Sequence, residues 1–166
     1  MTHRDAKRFV RVVRKHDGSL RAFAFRMVGH RVDDVLQEAY LRAFQGLDRF
    51  ESRSTMRTWL HRIVYTTCVD ELRKPQFVTP APVDERRDLD DGTSSVEVQT
   101  MAKVDLAAAM DRLPEEQRAA LWLVDADGFT YREAAQILDV PDGTLATWVS
   151  RGRATVREAM SEEVTQ

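Results

Sequence analysis

The sequence predicts an all-α protein in which two helical domains are joined by a flexible, acidic linker. Towards both ends of the chain, apolar residues recur at the three- and four-residue spacing of helices. No segment shows the strict alternation of apolar and polar residues that a half-buried strand needs. Residues 75–100 lack helical periodicity and contain three of the five prolines. We therefore expect domains at 1–74 and 101–166, with the linker at 75–100.

The composition indicates a soluble globular protein. Of its 166 residues, 43% are hydrophobic and 31% are charged, a balance that supports packed cores. No apolar run approaches the roughly 20 residues that cross a bilayer, and the charged N-terminus lacks a signal-peptide pattern. Cys68 is the single cysteine, which excludes an internal disulfide and a zinc site built from cysteine pairs. We expect a cytoplasmic protein with no metal or other cofactor.

The formal charge of −2 conceals an uneven distribution. Residues 1–74 carry a balance of +7, residues 75–100 one of −4 and residues 101–166 one of −5. A basic domain beside acidic segments suggests a polyanionic partner, or an electrostatic contact between the two domains that would hide their ligand surfaces. Solvated arginine-rich helices would account for the same numbers, so charge alone leaves these interpretations open.

Three helices are predicted in the N-terminal domain. The first carries apolar residues at helical spacing from Phe9 to Met27, and Gly29 is its expected stop. The second runs from about Asp33 to Phe44. The third runs from about Met56 to Lys74, where a proline ends it.

The C-terminal domain is predicted to be helical and to end in a helix-turn-helix. A helix that reaches Leu113 is closed by a proline, and a second runs from Glu115 to Val124. Thr130 and Glu133 have the spacing of a capping box for a short helix at 131–138. A tight connection follows, and a longer helix starts near Gly143.

The long helix has one apolar face and one polar face. Leu145, Val149, Gly152 and Val156 recur at spacings of 4, 3 and 4, which indicates the buried face. The opposite face carries small and polar side chains, as the recognition helix of a DNA-binding helix-turn-helix does. Its members are Thr144, Ala146, Thr147, Ser150 and Arg151. An ordinary helical hairpin with a solvated face is the alternative.

Motifs towards both ends of the chain resemble those of extracytoplasmic-function (ECF) sigma factors, group 4 of the sigma-70 family. The C-terminal motifs, which resemble region 4, are Gly128–Ala135, Val140–Thr144 and Ser150–Arg153, preceded by Leu113–Arg118. The N-terminal motifs, which resemble region 2, are Asp34–Ala43, Phe50, Thr58–Ile63 and Asp70–Arg73. The resemblance covers nearly the whole chain apart from the linker, and it implies a sigma factor that is not an enzyme.

The resemblance implies that region 2 binds the β′ clamp of RNA polymerase core and opens the −10 promoter element. Three residues then fall in the polymerase-binding helix: Asp34, Gln37 and Glu38. The segment that corresponds to the −10 reader contains cationic and aromatic side chains suited to phosphates and unstacked bases. Its candidates are Arg57, Trp59, His61, Arg62, Tyr65, Thr66 and Arg73. Trp59 also lies on the apolar stripe, so a core role remains open for it.

Region 4, by the same resemblance, binds the β flap and reads the −35 element. The candidates are Thr144, Ala146, Thr147, Trp148, Ser150, Arg151 and Arg153. Thr66 replaces an asparagine that is usual in the −10 helix, and Ala146 and Trp148 replace two basic residues of the usual recognition helix. A bidentate basic contact contributes about 1–3 kcal/mol of base discrimination, so we expect a weak grip on the −35 element.

Other functions explain less of the sequence. A stand-alone helix-turn-helix regulator leaves the N-terminal motifs unused, and a helical adaptor leaves the spacing of Arg151 and Arg153 unexplained. An enzyme is disfavoured because the four histidines are scattered and no Gly-rich phosphate loop is present. The resemblance allows an anti-sigma factor as a further partner. The acidic linker either mimics nucleic acid in a basic channel or is simply solvated.

Overall fold

The computed structural model describes residues 3–50, 53–75 and 106–163. Within these ranges the chain is helical and contains no strand, which confirms the predicted all-α class. The N-terminal helices are α1 (His3–Val28), α2 (Val32–Gly46) and α3 (Met56–Arg73). The C-terminal helices are α4 (106–111), α5 (Glu115–Leu121), α6 (Tyr131–Leu138) and α7 (Asp142–Glu163). None of the described helices is both long and apolar enough to span a bilayer.

Helices α1, α2 and α3 form one bundle, here called the N-lobe (residues 3–50 and 53–75). α1 ends where predicted, because Gly29 adopts a φ of +59°, which a side chain would strain. Thr55 caps α3: its hydroxyl accepts a hydrogen bond of 3.1 Å from the backbone N–H of Thr58. The centre of the bundle is filled by fully buried side chains from all three helices. They include Leu20, Phe23, Val35, Leu36, Leu60, Val64 and Cys68.

Helices α4 to α7 form the C-lobe (residues 106–163), which contains the predicted helix-turn-helix. The capping box is present: Thr130 Oγ1 accepts from the backbone N–H of Glu133 at 3.2 Å, and the Glu133 carboxylate accepts from the backbone N–H of Thr130 at 2.9 Å. Leu145 and Val149 are fully buried, as the spacing predicted. A Cβ on Gly152 would lie 3.6 Å from the Gln117 carbonyl oxygen, so α7 approaches α5 closely there.

The second helix of the C-lobe differs from its prediction. α5 ends at Leu121 and continues as a π-helical turn over Trp122–Ala126. Gly128 then takes a φ of +70° and Phe129 is buried. A π-helical turn has hydrogen bonds between residues i and i+5, so it holds one more residue than an α-helical turn. The extra residue changes the direction in which the chain leaves α5. Periodicity alone does not signal such a turn.

The two lobes pack against each other. α3 lies against α6, and α1 lies against α5. Most of the predicted linker, residues 76–100, lies outside the described residues, as does 101–105. The expectations for its flexibility and for its acidic run therefore stay predictions.

Candidate nucleic-acid interface

The outward face of α7 presents the residues expected to read the −35 element. Thr147, Ser150 and Arg151 are exposed, whereas Thr144, Ala146 and Trp148 are half-buried. The Thr147 hydroxyl donates to the backbone carbonyl of Gly143 at 3.0 Å, so its donor is already used inside the helix. Ser150 and Arg151 therefore have the freest polar groups on this face.

Arg153 lies at the edge of α7 and is held by a carboxylate of its own lobe. Its guanidinium makes two hydrogen bonds to Asp125, of 3.0 and 2.6 Å, and a longer one of 3.4 Å to the hydroxyl of Tyr131. The hydrogen bond and charge of Asp125 raise the pKa of Arg153 above its ordinary value. Contact between Arg153 and DNA would have to replace or share this bidentate pair. The sequence did not predict the pairing of Arg153 with Asp125, because the two residues are 28 positions apart.

The residues expected to read the −10 element all lie on α3 but differ widely in exposure. Arg62, Thr66 and Arg73 are exposed, and Tyr65 is half-buried. The Thr66 hydroxyl donates to backbone carbonyls of the preceding turn, at 3.0 and 3.1 Å. Trp59 is half-buried, with its ring 5.2 Å from that of Phe50. Trp59 thus has a packing role within the N-lobe.

Three of the expected −10 residues contact the C-lobe, and two of them, His61 and Arg57, meet the same pair of residues, Asp127 and Phe129. The side chain of His61 is 0% exposed, and its ring makes an edge-on contact with Phe129 at 4.8 Å between centroids. Its Nε2 lies 3.4 Å from a carboxylate oxygen of Asp127. The Arg57 guanidinium donates to the carbonyl of Asp127 and lies 3.9 Å from the centroid of Phe129. In this arrangement His61 cannot touch DNA.

Further contacts between the lobes surround this cluster. Arg62 forms an ion pair with Asp139 at 3.3 Å, between side chains that are both at least half exposed. On the other side, the guanidinium of Arg26 lies 5.5 Å from the centroid of Trp122. Arg118 donates to the Arg26 carbonyl at 3.4 Å. Packing of the lobes therefore covers part of the surface expected to read the −10 element but leaves the outward face of α7 exposed, which corrects the expectation that contact between the domains would hide both surfaces.

The residues expected to bind polymerase share one exposed face of α2. Asp34, Gln37 and Glu38 are all exposed, at helical spacings that place them side by side. Glu38 is bonded at 2.7 Å to Arg42, which also reaches Asp70 of α3 at 2.6 Å. Such exposed ion pairs contribute little to stability, so this face can exchange them for an intermolecular partner.

An apolar groove lies largely on the C-lobe, with Arg26 of α1 and Arg153 of α7 also among its lining residues. It has a volume of about 1010 Å³ and is bordered by α4, the π-helical turn and the last turns of α7. Leu106 and Met160 line it with exposures of 45% and 37%. Exposed apolar surface of this kind is typical of a protein interaction site.

Comparison with known proteins identifies both lobes. Residues 12–77 match the family model of sigma-70 region 2, and residues 103–156 match that of sigma-70 region 4. The chain is 34% identical over 152 residues to the ECF RNA polymerase sigma factor SigM of Mycobacterium tuberculosis, covering 90% of this chain and 76% of SigM. It is 34% identical over 147 residues to EcfG of Rhodopseudomonas palustris, covering 82% and 76% of the two chains.

Solved structures show the same fold. The sigma factor RpoE from Bartonella quintana, solved in complex with the anti-sigma factor NepR, aligns with a TM-score of 0.74 and 25% identity over 93% of this chain and 98% of its own. CnrH, solved with the cytosolic domain of CnrY, aligns with a TM-score of 0.70 and 20% identity, over 95% and 90% of the two chains. From the matches to both sigma-70 regions and to these relatives, we conclude that the chain belongs to the ECF RNA polymerase sigma factors, regulatory proteins that direct promoter-specific transcription initiation.

Proposed function

We propose that this sigma factor, a cytoplasmic group 4 member without catalytic activity of its own, divides its work between two domains. Residues 1–74 bind polymerase core and the −10 element, residues 101–166 bind the −35 element, and 75–100 link them. One observation carries the proposal: a single chain combines an exposed acidic face on α2 with an exposed polar face on a helix-turn-helix. A stand-alone operator-binding protein has no need of the first of these faces.

The acidic face of α2 is proposed to bind the β′ clamp. Asp34, Gln37 and Glu38 offer two carboxylates and an amide on adjacent turns, and the exposed side chain of Leu41 lies one turn further along the same face. Charge pairs of this kind steer association and set its salt dependence more than they add affinity. Reversing one of them should therefore slow polymerase binding most strongly at low salt.

The exposed face of α3 is proposed to bind the −10 element. Arg73 is exposed and can approach phosphates, Arg62 can do so once its exposed pair with Asp139 opens, and Arg57 and His61 become available when the C-lobe moves away. Tyr65 offers a half-buried aromatic edge on which an unstacked base could rest. Thr66 lacks the carboxamide of asparagine, so base-specific hydrogen bonding at this position is reduced.

The outward face of α7 is proposed to enter the major groove at the −35 element. Arg151 supplies a cation and Ser150 a hydroxyl, and Thr147 and Ala146 supply methyl groups for thymine contacts. Arg153 contributes only if its pair with Asp125 opens. Because few cations face outward, the C-lobe alone should bind DNA weakly and depend on polymerase to hold it in place.

Two partner proteins are proposed for other surfaces. The apolar groove beside Leu106 is the best candidate for the β flap, because it is apolar and exposed, and Arg153 is the one −35 candidate among its lining residues. An anti-sigma factor is also proposed, since the related RpoE and CnrH were solved in complex with NepR and CnrY.

Run-off transcription tests the proposed function. Bacterial core polymerase is combined with a genomic promoter pool, with and without the protein. We expect discrete start sites that require the protein, and we expect Glu38→Lys to reduce both core binding and transcript yield. Glu158→Lys, the same charge change on an exposed position of α7, is the matched control. Operator binding without core binding would favour the stand-alone regulator instead.

A further inference from the structure

The N-terminal half of α1 carries a row of exposed cations that the proposed function does not use. They are Lys7, Arg8, Arg11, Arg14 and Lys15, here called the α1 basic face. We propose that this face, together with Phe25, is a further nucleic-acid site that binds single-stranded DNA adjoining the −10 element. The inference rests on the proposed function, because it extends the DNA path of the N-lobe from α3 to α1.

The five cations share one side of the helix. Lys7, Arg11 and Arg14 follow one another at spacings of four and three residues, and the other two flank that line. Within residues 3–50, 53–75 and 106–163, none of the five forms an ion pair. Like charges at these spacings repel one another and weaken a helix. Helix stability therefore does not explain their accumulation, whereas binding of a polyanion would neutralise it.

The carboxylates of α1 lie away from the basic face. Asp17 accepts a hydrogen bond of 2.7 Å from the hydroxyl of Tyr40, on α2. Asp5 is half-buried and lies two positions before Lys7, hence on another side of the helix. The positive potential of the basic face is therefore not cancelled by its own helix, and only solvent and salt screen it.

An exposed aromatic side chain continues the same side of α1. Phe25 is 46% exposed and lies about three helical turns beyond Arg14. Between them, a Cβ on Gly18 would meet no atom within 4 Å, so the surface of the helix is open there. Phosphates need cations and unstacked bases need aromatic rings, so this combination suits single-stranded nucleic acid. An acidic protein segment would use the cations but has no need of the ring.

The α1 basic face adjoins the helix that is proposed to bind the −10 element. α1 packs along α3, and the ring centroids of Phe23 and His61 are 6.0 Å apart. Burial and the charges of Lys15 and Arg57 lower the pKa of His16, which places the first turns of α3 beside one end of the basic face. From Lys15 the face extends about 12 Å further along α1. A strand that passes the N-terminus of α3 can therefore continue along these cations.

Binding of the full chain to a fluorescein-labelled thymidine oligomer of about 20 nucleotides tests the site by fluorescence anisotropy. The double variant Arg11→Gln/Arg14→Gln removes two charges but keeps good helix formers. We expect it to make the slope of log K against log[salt] shallower by about 1.4. Phe25→Ala should weaken binding about fivefold or more without changing the slope. Far-UV circular dichroism establishes that each variant keeps its helix content.

The matched control, Arg49→Gln/Arg132→Gln, removes the same charge at two exposed positions outside the basic face. Its slope should equal that of the wild type. Equal slopes for Arg11→Gln/Arg14→Gln and the wild type would overturn the site, and so would a wild type that does not bind the oligomer. An equal loss in both double variants would show attraction by total charge alone. If polyglutamate of similar length competes as well as unlabelled oligomer and Phe25→Ala has no effect, the face binds acidic protein instead.

The position of the site beside the −10 element is tested with the polymerase holoenzyme. Forked promoter DNA carries a single-stranded tail that either stops at the −10 element or extends about ten nucleotides beyond it. The extension should strengthen binding by the wild type several-fold more than binding by Arg11→Gln/Arg14→Gln. An equal gain in both would overturn the path along α1. If the holoenzyme binds neither DNA, the proposed function fails, while the oligomer still decides whether the α1 basic face binds single-stranded DNA.

Discussion

The capping box of α6 offers a quantitative test of how the helix-turn-helix is stabilised. α6 has eight residues, too few to be stable as an isolated helix, so satisfaction of its first backbone N–H groups matters. Thr130 Oγ1 accepts from the backbone N–H of Glu133 at 3.2 Å, and that hydroxyl also donates to the Glu133 carboxylate at 3.0 Å. Thr130→Ala removes both interactions and leaves a backbone donor without its cap.

We expect Thr130→Ala to lower the free energy of unfolding by about 1 kcal/mol, the usual cost of losing a threonine cap. For a chain of this size that corresponds to a decrease in melting temperature of about 2–4 °C. The measurement is thermal unfolding followed by far-UV circular dichroism, with urea unfolding as a second estimate.

Thr147→Ala is the matched control. Thr147 is also exposed, but its hydroxyl bonds to a carbonyl already within α7, and alanine has the higher helix propensity. We expect its melting temperature to be unchanged or slightly raised. If Thr130→Ala and Thr147→Ala unfold alike, the capping argument is refuted and α6 is held by its packing alone.

Three further predictions follow from burial and charge. Leu145→Ala should lower the free energy of unfolding by about 2–5 kcal/mol, because the Leu145 side chain is 0% exposed. Leu106→Ala, at a residue that is 45% exposed, should change it by less than about 0.5 kcal/mol. Urea unfolding measures both variants. Burial raises the pKa of the Cys68 thiol to about 12. Its reaction with a disulfide reagent at pH 8 should therefore be slow in the native protein and fast in guanidinium. A fast reaction in the native protein would show that α3 opens readily. Arg151→Ala should weaken binding of the polymerase complex to promoter DNA and reduce the salt slope of log K by about 1, and an unchanged slope would mean that Arg151 does not meet a phosphate.

The local pattern of apolar and helix-ending residues was sufficient to predict most of the secondary structure. The apolar spacings predicted α1, α2 and α3 to within two residues at the ends that were assigned, because each helix buries a continuous stripe, and a glycine or a proline marks the ends of α1 and α3. Gly29 stops α1, and Thr130 with Glu133 begins α6, since both signals act through backbone groups only a few residues away. The π-helical turn after α5 escaped prediction because its sequence remains compatible with an ordinary helix.

The sequence predicted the type and position of the candidate contact residues, but it did not predict whether their side chains are free to bind a partner. The spacing of α7 separated buried Leu145 from exposed Ser150 and Arg151, because both faces follow from helix geometry. It could not reveal that Asp125 holds Arg153, since the two residues lie in different helical segments. A basic residue in a motif is therefore not the same as a free cation.

The sequence by itself determined the helices, the helix-turn-helix and the separation of a basic N-terminal half from an acidic C-terminal half, because propensity, periodicity and charge are local or additive properties. Only the tertiary structure decided which of those residues face solvent. Arg57 and Asp127 are 70 positions apart, and His61 lies among side chains of both lobes. Such contacts depend on how two packed surfaces fit, a property of the assembled lobes that no window of sequence contains.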